Sequence, residues 1–386
     1  IKDITKNIKL NNRFSERMNI SRWKNEPGVR ETLLITLSSF VVFILFVSVF
    51  DNYFNQVRVR GDNKEFVLVA DAIKNWDFEI GDSAPRIQRL LFGFPLAIVG
   101  VSAVPLINDF AALVIVSMLS SLVSVFLCHR LWGGWVACLF AILNWDWIQR
   151  SVVGGNEPMF MALLLGGFYF YRKKNIPIAI VLSALSVTVR PMGVFALLAI
   201  GLHLILKKEY RNFAVSVLIG GVIGLSYFSL VYFAYGDPLA NLVAYRHADH
   251  SYNSAVRIPF VGLYEGFQES TLPMLTQIKI FSWIGLTIVG IFGILKNKVI
   301  KVSQRSYPAE YFFFILYLGF IITYSSPSWY WRIYPRYIIP ILPILYFGFI
   351  PWIYKDKRVI WFISVVSSIL GGASSISVYL LWERIQ

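Results

Sequence analysis

The chain has 386 residues, 56% of them hydrophobic, 16% aromatic and only 15% charged, and no soluble domain of that length could hide so much apolar surface within its own core. Its net charge of +14 would suggest nucleic acid in a soluble protein. Here the basic residues stand in short clusters beside apolar segments, which is how membrane orientation is encoded, so nucleic acid is not an expected partner and the lipid bilayer is.

The first thirty residues carry eight Lys or Arg, from Lys2 to Arg30, and precede an apolar run at 33–50 long enough to span a bilayer. A cleaved signal peptide competes with a retained signal anchor; the many apolar segments that follow favour the anchor. Those segments are 90–107, 110–128, 131–147, 157–171, 176–190, 192–206, 212–235, 279–295, 309–325, 336–354 and 359–381. The basic N-terminal tail, Arg172 to Lys174, Lys207 to Arg211, Lys296 to Arg305 and Lys355 to Arg358 are assigned to the cytoplasm by the positive-inside rule. That phase puts 51–89 outside and requires an even number of crossings between 90 and 156. Three apolar segments lie there, so one of them does not cross, and eleven crossings result. The expected divisions are a cytoplasmic basic tail at 1–31, a transmembrane core at 32–235 that includes the outer loop 51–89, an extracytoplasmic loop at 236–278 and C-terminal transmembrane helices at 279–386.

Both cysteines, Cys128 and Cys138, lie in apolar stretches without metal-site spacing, so neither a structural disulfide nor zinc is expected. The charged stretch from Val57 to Pro95 is far longer than an ordinary connection and carries Asp62, Glu65, Asp71, Asp77, Asp82, Arg86 and Arg89. Asp62 follows Gly61 close to the end of the first span, where partial desolvation raises a carboxylate's pKa toward the range of a general base. A solvated turn acid is the other reading.

Glu157 opens an apolar helix, which suits either a site acid or simple capping of free backbone amides. Arg190 stands between two apolar runs, where an unpaired charge costs at least about 2.5 kcal/mol. Arg86, Arg89 and Arg332 are read either as phosphate ligands or as side chains snorkelling to headgroups. His247, Asp249 and His250 could hold a metal if helical, or could be ordinary polar residues of an outer loop. The aromatics of SSPSWYWRIYPRY form either an interfacial belt or a surface for sugar or prenyl chain.

At these residues the chain resembles the C-type (GT-C) integral membrane glycosyltransferases, the superfamily that includes protein O-mannosyltransferases, aminoarabinose transferases and GPI mannosyltransferases. GDNKEFVLVADAI followed by RIQRLLFGFPL is similar to their first outer loop, with Asp62, Phe66, Ala70, Arg89 and Pro95 at matching positions. GGNEPMFMALLLGGFYFYRKK resembles the acidic-proline start of a span, at Glu157 and Pro158. SVTVRPMGVFALL resembles an Arg-Pro break, at Arg190 and Pro191. YGDPLANLVAYRH and YPRYIIPILPIL resemble later stretches, the second containing Arg336 and Tyr337.

The resemblance implies an all-α polytopic membrane protein of about eleven transmembrane helices, with a seven-helix core and amphipathic juxtamembrane helices in the first outer loop. It implies an inverting transfer of a sugar, mannose being one candidate, from a polyprenyl-phosphate donor to the hydroxyl of a membrane-bound or lipid-linked acceptor at the extracytoplasmic face of the plasma (inner) membrane. Asp62 would be the general base, and Arg190, Glu157, Arg336, Arg89, Arg86 and Tyr337 would bind substrate. No cofactor is required. Many members carry two adjacent acids where this chain has Asp62-Asn63, which leaves a divalent metal there an open question. A multi-span transporter or lipid flippase is the alternative, since it too would have broken helices and isolated charges. It would place its charges near the bilayer midplane and often show two related halves, and neither is visible in the sequence.

Overall fold

The computed structural model describes residues 28–49, 62–78, 87–248, 255–256, 258–268, 274–296, 308–325, 334, 336–349 and, intermittently, 356–372. It is helical apart from one antiparallel pair of two-residue strands. In chain order the elements are α1 (Val29–Val49), α2 (Asp62–Asn75), α3 (Gly93–Ser102), α4 (Asp109–Trp132), α5 (Gly134–Ala141), α6 (Trp145–Val153), α7 (Glu157–Arg172), α8 (Ile176–Val189), α9 (Val194–Leu206), α10 (Tyr210–Tyr235), α11 (Ala240–Ala248), β1 (Ala255–Val256), α12 (Val261–Gln268), α13 (Met274–Lys296), α14 (Pro308–Thr323), β2 (Tyr324–Ser325) and α15 (Leu342–Gly348). Strand β1 pairs with β2.

Among the described residues, four helices are long and apolar enough to cross a membrane: Val29–Ser48, Asp109–Trp132, Tyr210–Tyr235 and Gln277–Leu295. Other apolar helices are shorter, among them Ile176–Val189, Pro191–Leu206 and Ala309–Thr323. The outward faces of α1 (Leu33, Leu37, Val41, Leu45) and α10 (Leu218, Leu225, Phe233) are exposed and apolar, which suits lipid and would be unfavourable against water.

Small side chains let the inner helices approach closely, as is usual in membrane bundles. Ser117 donates to the Gly155 carbonyl at 2.7 Å and Ser151 to the Ser121 hydroxyl at 2.7 Å. A methyl group at Gly167 of α7 would meet Ser183 Oγ of α8 at 2.4 Å.

The bundle has two chemically distinct ends. At one, Thr32 near the start of α1 bonds His129 near the end of α4 at 2.9 Å. There too Arg172, at the end of α7, donates to the Leu131 carbonyl at 2.6 Å and to Glu310 of α14 at 2.5 Å. Lys174 and Lys208, both with positive φ, turn the chain at this end. The opposite end gathers the start of α7 and the end of α8, tied by Asn156 Nδ2 to the Val189 carbonyl at 3.4 Å.

Of the three apolar segments between 90 and 156, the first does not traverse the bundle. Gly93, at the start of α3, packs so closely on Thr188 near the end of α8 that a Cβ there would lie 2.4 Å from Thr188 Oγ1. Asp109, which opens α4, pairs with Lys74 at the end of α2 and lies eight residues before Ser117, about 12 Å further out along the helix. Both flanks of α3 are therefore at the same end. Helix α4 makes the traverse, and the return is made by two short helices rather than one. Gly134 at the start of α5 sits near Ile35 and His129, while Asn144 ends that run by accepting from Trp147 N at 3.2 Å to cap α6.

Candidate functional site

Helix α2 begins at Asp62 because the sequence places acids in its first turn, Asp62 and Glu65, where the helix dipole favours them. Phe66, Val69 and Ala70 are buried while Lys64, Asp71 and Lys74 are exposed, so the helix is amphipathic and rests on the bundle with its N-terminus at the junction of α6 and α7. Asn63 Nδ2 donates to the Val153 carbonyl at 3.3 Å.

Arg89 lies in the turn before α3, and its Nη2 donates to Asp62 Oδ1 at 3.2 Å and Glu65 Oε2 at 3.1 Å. That turn is clamped by Asn241 of α11, whose Nδ2 donates to the Gln88 carbonyl at 2.5 Å and the Leu90 carbonyl at 3.1 Å. Asn241 in turn accepts from the Tyr227 hydroxyl at 3.1 Å.

Glu157 is the first residue of α7, with Pro158 behind it fixing the helical φ at no hydrogen-bond cost. Its side chain is 2% exposed and its Oε1 accepts from Arg190 Nη1 at 2.8 Å. The same oxygen accepts from Arg336 Nε, and Arg336 Nη1 reaches Asp62 Oδ2 at 3.3 Å. Arg190 ends α8 in an extended conformation, φ −146° and ψ 132°, because the ring of Pro191 clashes with a helical residue before it. The guanidinium is thereby turned to Glu157 and stands 6.0 Å from the ring centres of both Phe160 and Tyr337. Tyr337 is held through its carbonyl, which accepts from the Tyr317 hydroxyl at 2.8 Å.

Six of the seven sequence-assigned site residues thus meet in one cluster: Asp62, Arg89, Glu157, Arg190, Arg336 and Tyr337. Arg86, the seventh, lies outside the described residues, as do Asp82, Asp249, His250 and Arg332. Among the described residues no group of three or more His, Cys, Asp or Glu side chains is gathered as a metal ion would need.

One reading from sequence is corrected. Asp62 was expected to have a raised pKa through desolvation. Burial does push it up, but Arg336, Arg89 and Arg150 together outweigh it and hold the carboxyl below its ordinary value. Arg190 stands between apolar runs, where an unpaired charge is costly, and Glu157 is its partner.

Sequence reasoning missed three residues. Asn241 reaches the Arg89 turn through backbone carbonyls more than 150 positions away, and no local pattern marks it. Arg150, on α6, has Asp62, Glu157 and Arg336 as electrostatic neighbours. Asp146 accepts from Lys279 Nζ at 2.6 Å and from Trp283 Nε1 at 3.3 Å. The signal available for the last two was the i, i+4 charge pair of WDWIQRSVV, set among tryptophans.

Comparison with known proteins finds no matching family model, no matching curated protein and no matching solved structure.

Proposed function

We propose that this chain is a C-type membrane glycosyltransferase that moves a sugar from a polyprenyl-phosphate donor to an acceptor hydroxyl at the extracytoplasmic face, with about eleven crossings and the Asp62 cluster as its active site. The observation that carries the reading is the position of Asp62. Its side chain is 37% exposed, against 10% for Glu65 and 2% for Glu157, so it is the one acid of the cluster open to a substrate, and it stands among arginines suited to an anion.

The chemistry follows from that pairing. The acceptor oxygen attacks the anomeric carbon as the bond from that carbon to the phosphate oxygen breaks, and the hydroxyl proton passes to the Asp62 carboxylate. The lipid phosphate leaves as an anion steadied by guanidinium groups, which bind phosphate oxygens in a fork and stay charged beside lipid. A weak base suffices, because the hydroxyl becomes strongly acidic once its oxygen is bonded to the sugar. A phosphate leaving group needs no protonation, so one carboxylate is enough where glycoside hydrolysis requires two.

The test is to supply purified protein with labelled polyprenyl-phosphate mannose or glucose and a membrane lipid extract. In parallel, the same donors are followed for movement across proteoliposomes carrying the protein. Label transferred to a new product supports the transferase. Donor moved across the bilayer unchanged, with no new product, supports the transporter instead.

A further inference from the structure

Helix α6 carries Asp146 and Arg150 one turn apart, a spacing at which an isolated helix would pair them. The fold prevents that pairing. Asp146 is engaged on both oxygens by α13, with Lys279 Nζ at 2.6 Å on Oδ1 and Trp283 Nε1 at 3.3 Å on Oδ2. This contact is itself largely buried, the two charged side chains being 10% and 15% exposed.

Arg150 is left over. Among the described residues its guanidinium makes no ion pair and no hydrogen bond, although Asp62, Glu157, Arg336 and Asp146 all act on it electrostatically. The carboxylates it faces are engaged by the other arginines, except that Glu157 Oε2 is buried without a hydrogen bond among the described residues. Glu157 Oε1 holds Arg190 and Arg336, Asp62 holds Arg89 and Arg336, and Glu65 holds Arg89. Among the described residues, four guanidinium groups (Arg89, Arg150, Arg190, Arg336) face three carboxylates (Asp62, Glu65, Glu157), and Arg150 is the one of the four that none of those carboxylates holds. Gly155 keeps the neighbourhood tight, since a Cβ there would lie 3.2 Å from Arg150 Cδ and 2.6 Å from Glu157 Oε2.

We propose that Arg150 is the residue that takes the phosphate of the prenyl-phosphate substrate, and that Lys279 is a positioning residue that keeps Asp146 from closing on it. A sugar phosphodiester of a prenyl alcohol carries one negative charge, which suits a single guanidinium that no carboxylate holds. The prenyl carrier as the source of that phosphate rests on the transferase reading; the anion site itself rests only on the charges and partners of this cluster.

The experiment is calorimetric binding of farnesyl phosphate, farnesol and inorganic phosphate to the purified full-length protein in detergent, with thermal unfolding recorded for each variant. Wild type binds farnesyl phosphate and not farnesol. Arg150→Gln weakens that binding at least about ten-fold, the usual scale for loss of a charge-assisted partner, while Arg150→Lys retains part of it. Lys279→Met weakens it as well, and the double variant Asp146→Asn/Lys279→Met recovers it, because no carboxylate remains to capture Arg150; a merely structural role for Lys279 would give no such recovery.

Unchanged farnesyl phosphate binding in a folded Arg150→Gln protein overturns the proposal and leaves the transferase reading standing. No binding of either phosphate by wild type also overturns it. A double variant no better than Lys279→Met overturns the role of Lys279. Inorganic phosphate bound as tightly as farnesyl phosphate, and lost in Arg150→Gln, supports the anion site and removes the prenyl carrier as its ligand.

Discussion

Asp62 and Glu157 share one guanidinium, Arg336, yet the first is 37% exposed and the second 2%. The same cation thus links a partly exposed acid to a buried one, and in the proposed reaction the two carboxylates have different work: Asp62 for chemistry, Glu157 as the buried anchor on which Arg190 and Arg336 are hung.

Glu157→Gln leaves Arg190 without the carboxylate that holds it and Arg336 with Asp62 alone. Removing one partner of a buried ion pair typically costs about 3–5 kcal/mol, so a large fall in the thermal unfolding temperature in detergent is expected. Asp62→Asn, at a far more exposed position, is expected to shift it little. Equal shifts in the two variants would contradict the division of roles.

The pH dependence follows from the arginines around Asp62. Burial raises its pKa, but Arg336, Arg89 and Arg150 more than offset this and the carboxyl titrates below its ordinary value. The ionised base is fully present above the ordinary carboxylate value of about 3.9 and is lost only as the pH falls through the depressed one. Turnover is therefore expected to stay level on acidification from pH 7 to about 5. Arg89→Gln removes one of the lowering charges and moves the acid limb upward. A wild-type acid limb near pH 6, unmoved by Arg89→Gln, would show that another group is the base.

Asn241→Ala tests whether the Arg89 turn is positioned from a distance. It removes the donor to the Gln88 and Leu90 carbonyls, and loss of a buried hydrogen-bond partner costs about 1–3 kcal/mol. We expect kcat to fall at least about ten-fold with donor KM changed less, because Arg89 loosens around Asp62 while the other arginines stay in place. Wild-type kcat would remove Asn241 from the account.

Glu310→Gln serves as the contrast at the opposite end of the bundle. It breaks a pair with Arg172, which also donates to the Leu131 carbonyl and stands 5.5 Å from the Trp132 ring centre. Thermal stability should fall while donor KM and the pH profile stay as in wild type, since the pair lies at the end of α7 opposite Glu157. A changed pH profile would contradict the separation of the two ends.

Much of the site was legible because it is written in local chemistry. Pro191 forces Arg190 out of the helix, Pro158 starts α7 just behind Glu157, and paired acids open α2 at Asp62; each is a statement about neighbours in sequence. The lengths of the helices were less legible. The apolar run 131–147 reads as one span, but Asn144 caps a new helix inside it. The run 90–107 reads as another, yet Gly93 is drawn against Thr188 and Asp109 against Lys74, which keeps both its flanks at one end. The pairing of Lys279 with Asp146 was illegible for a different reason: the i, i+4 spacing points to Arg150 as the partner of Asp146, but a residue 133 positions away takes that carboxylate, and no spacing rule reaches so far.

The most direct test of the central claim is to run label transfer from polyprenyl-phosphate mannose and glucose with wild type and Asp62→Asn side by side, both shown to be folded by thermal unfolding and both shown to bind the donor. The account predicts a labelled product in the wild type and none in Asp62→Asn, with donor affinity retained. Transfer at the wild-type rate by Asp62→Asn would contradict the assignment of the base.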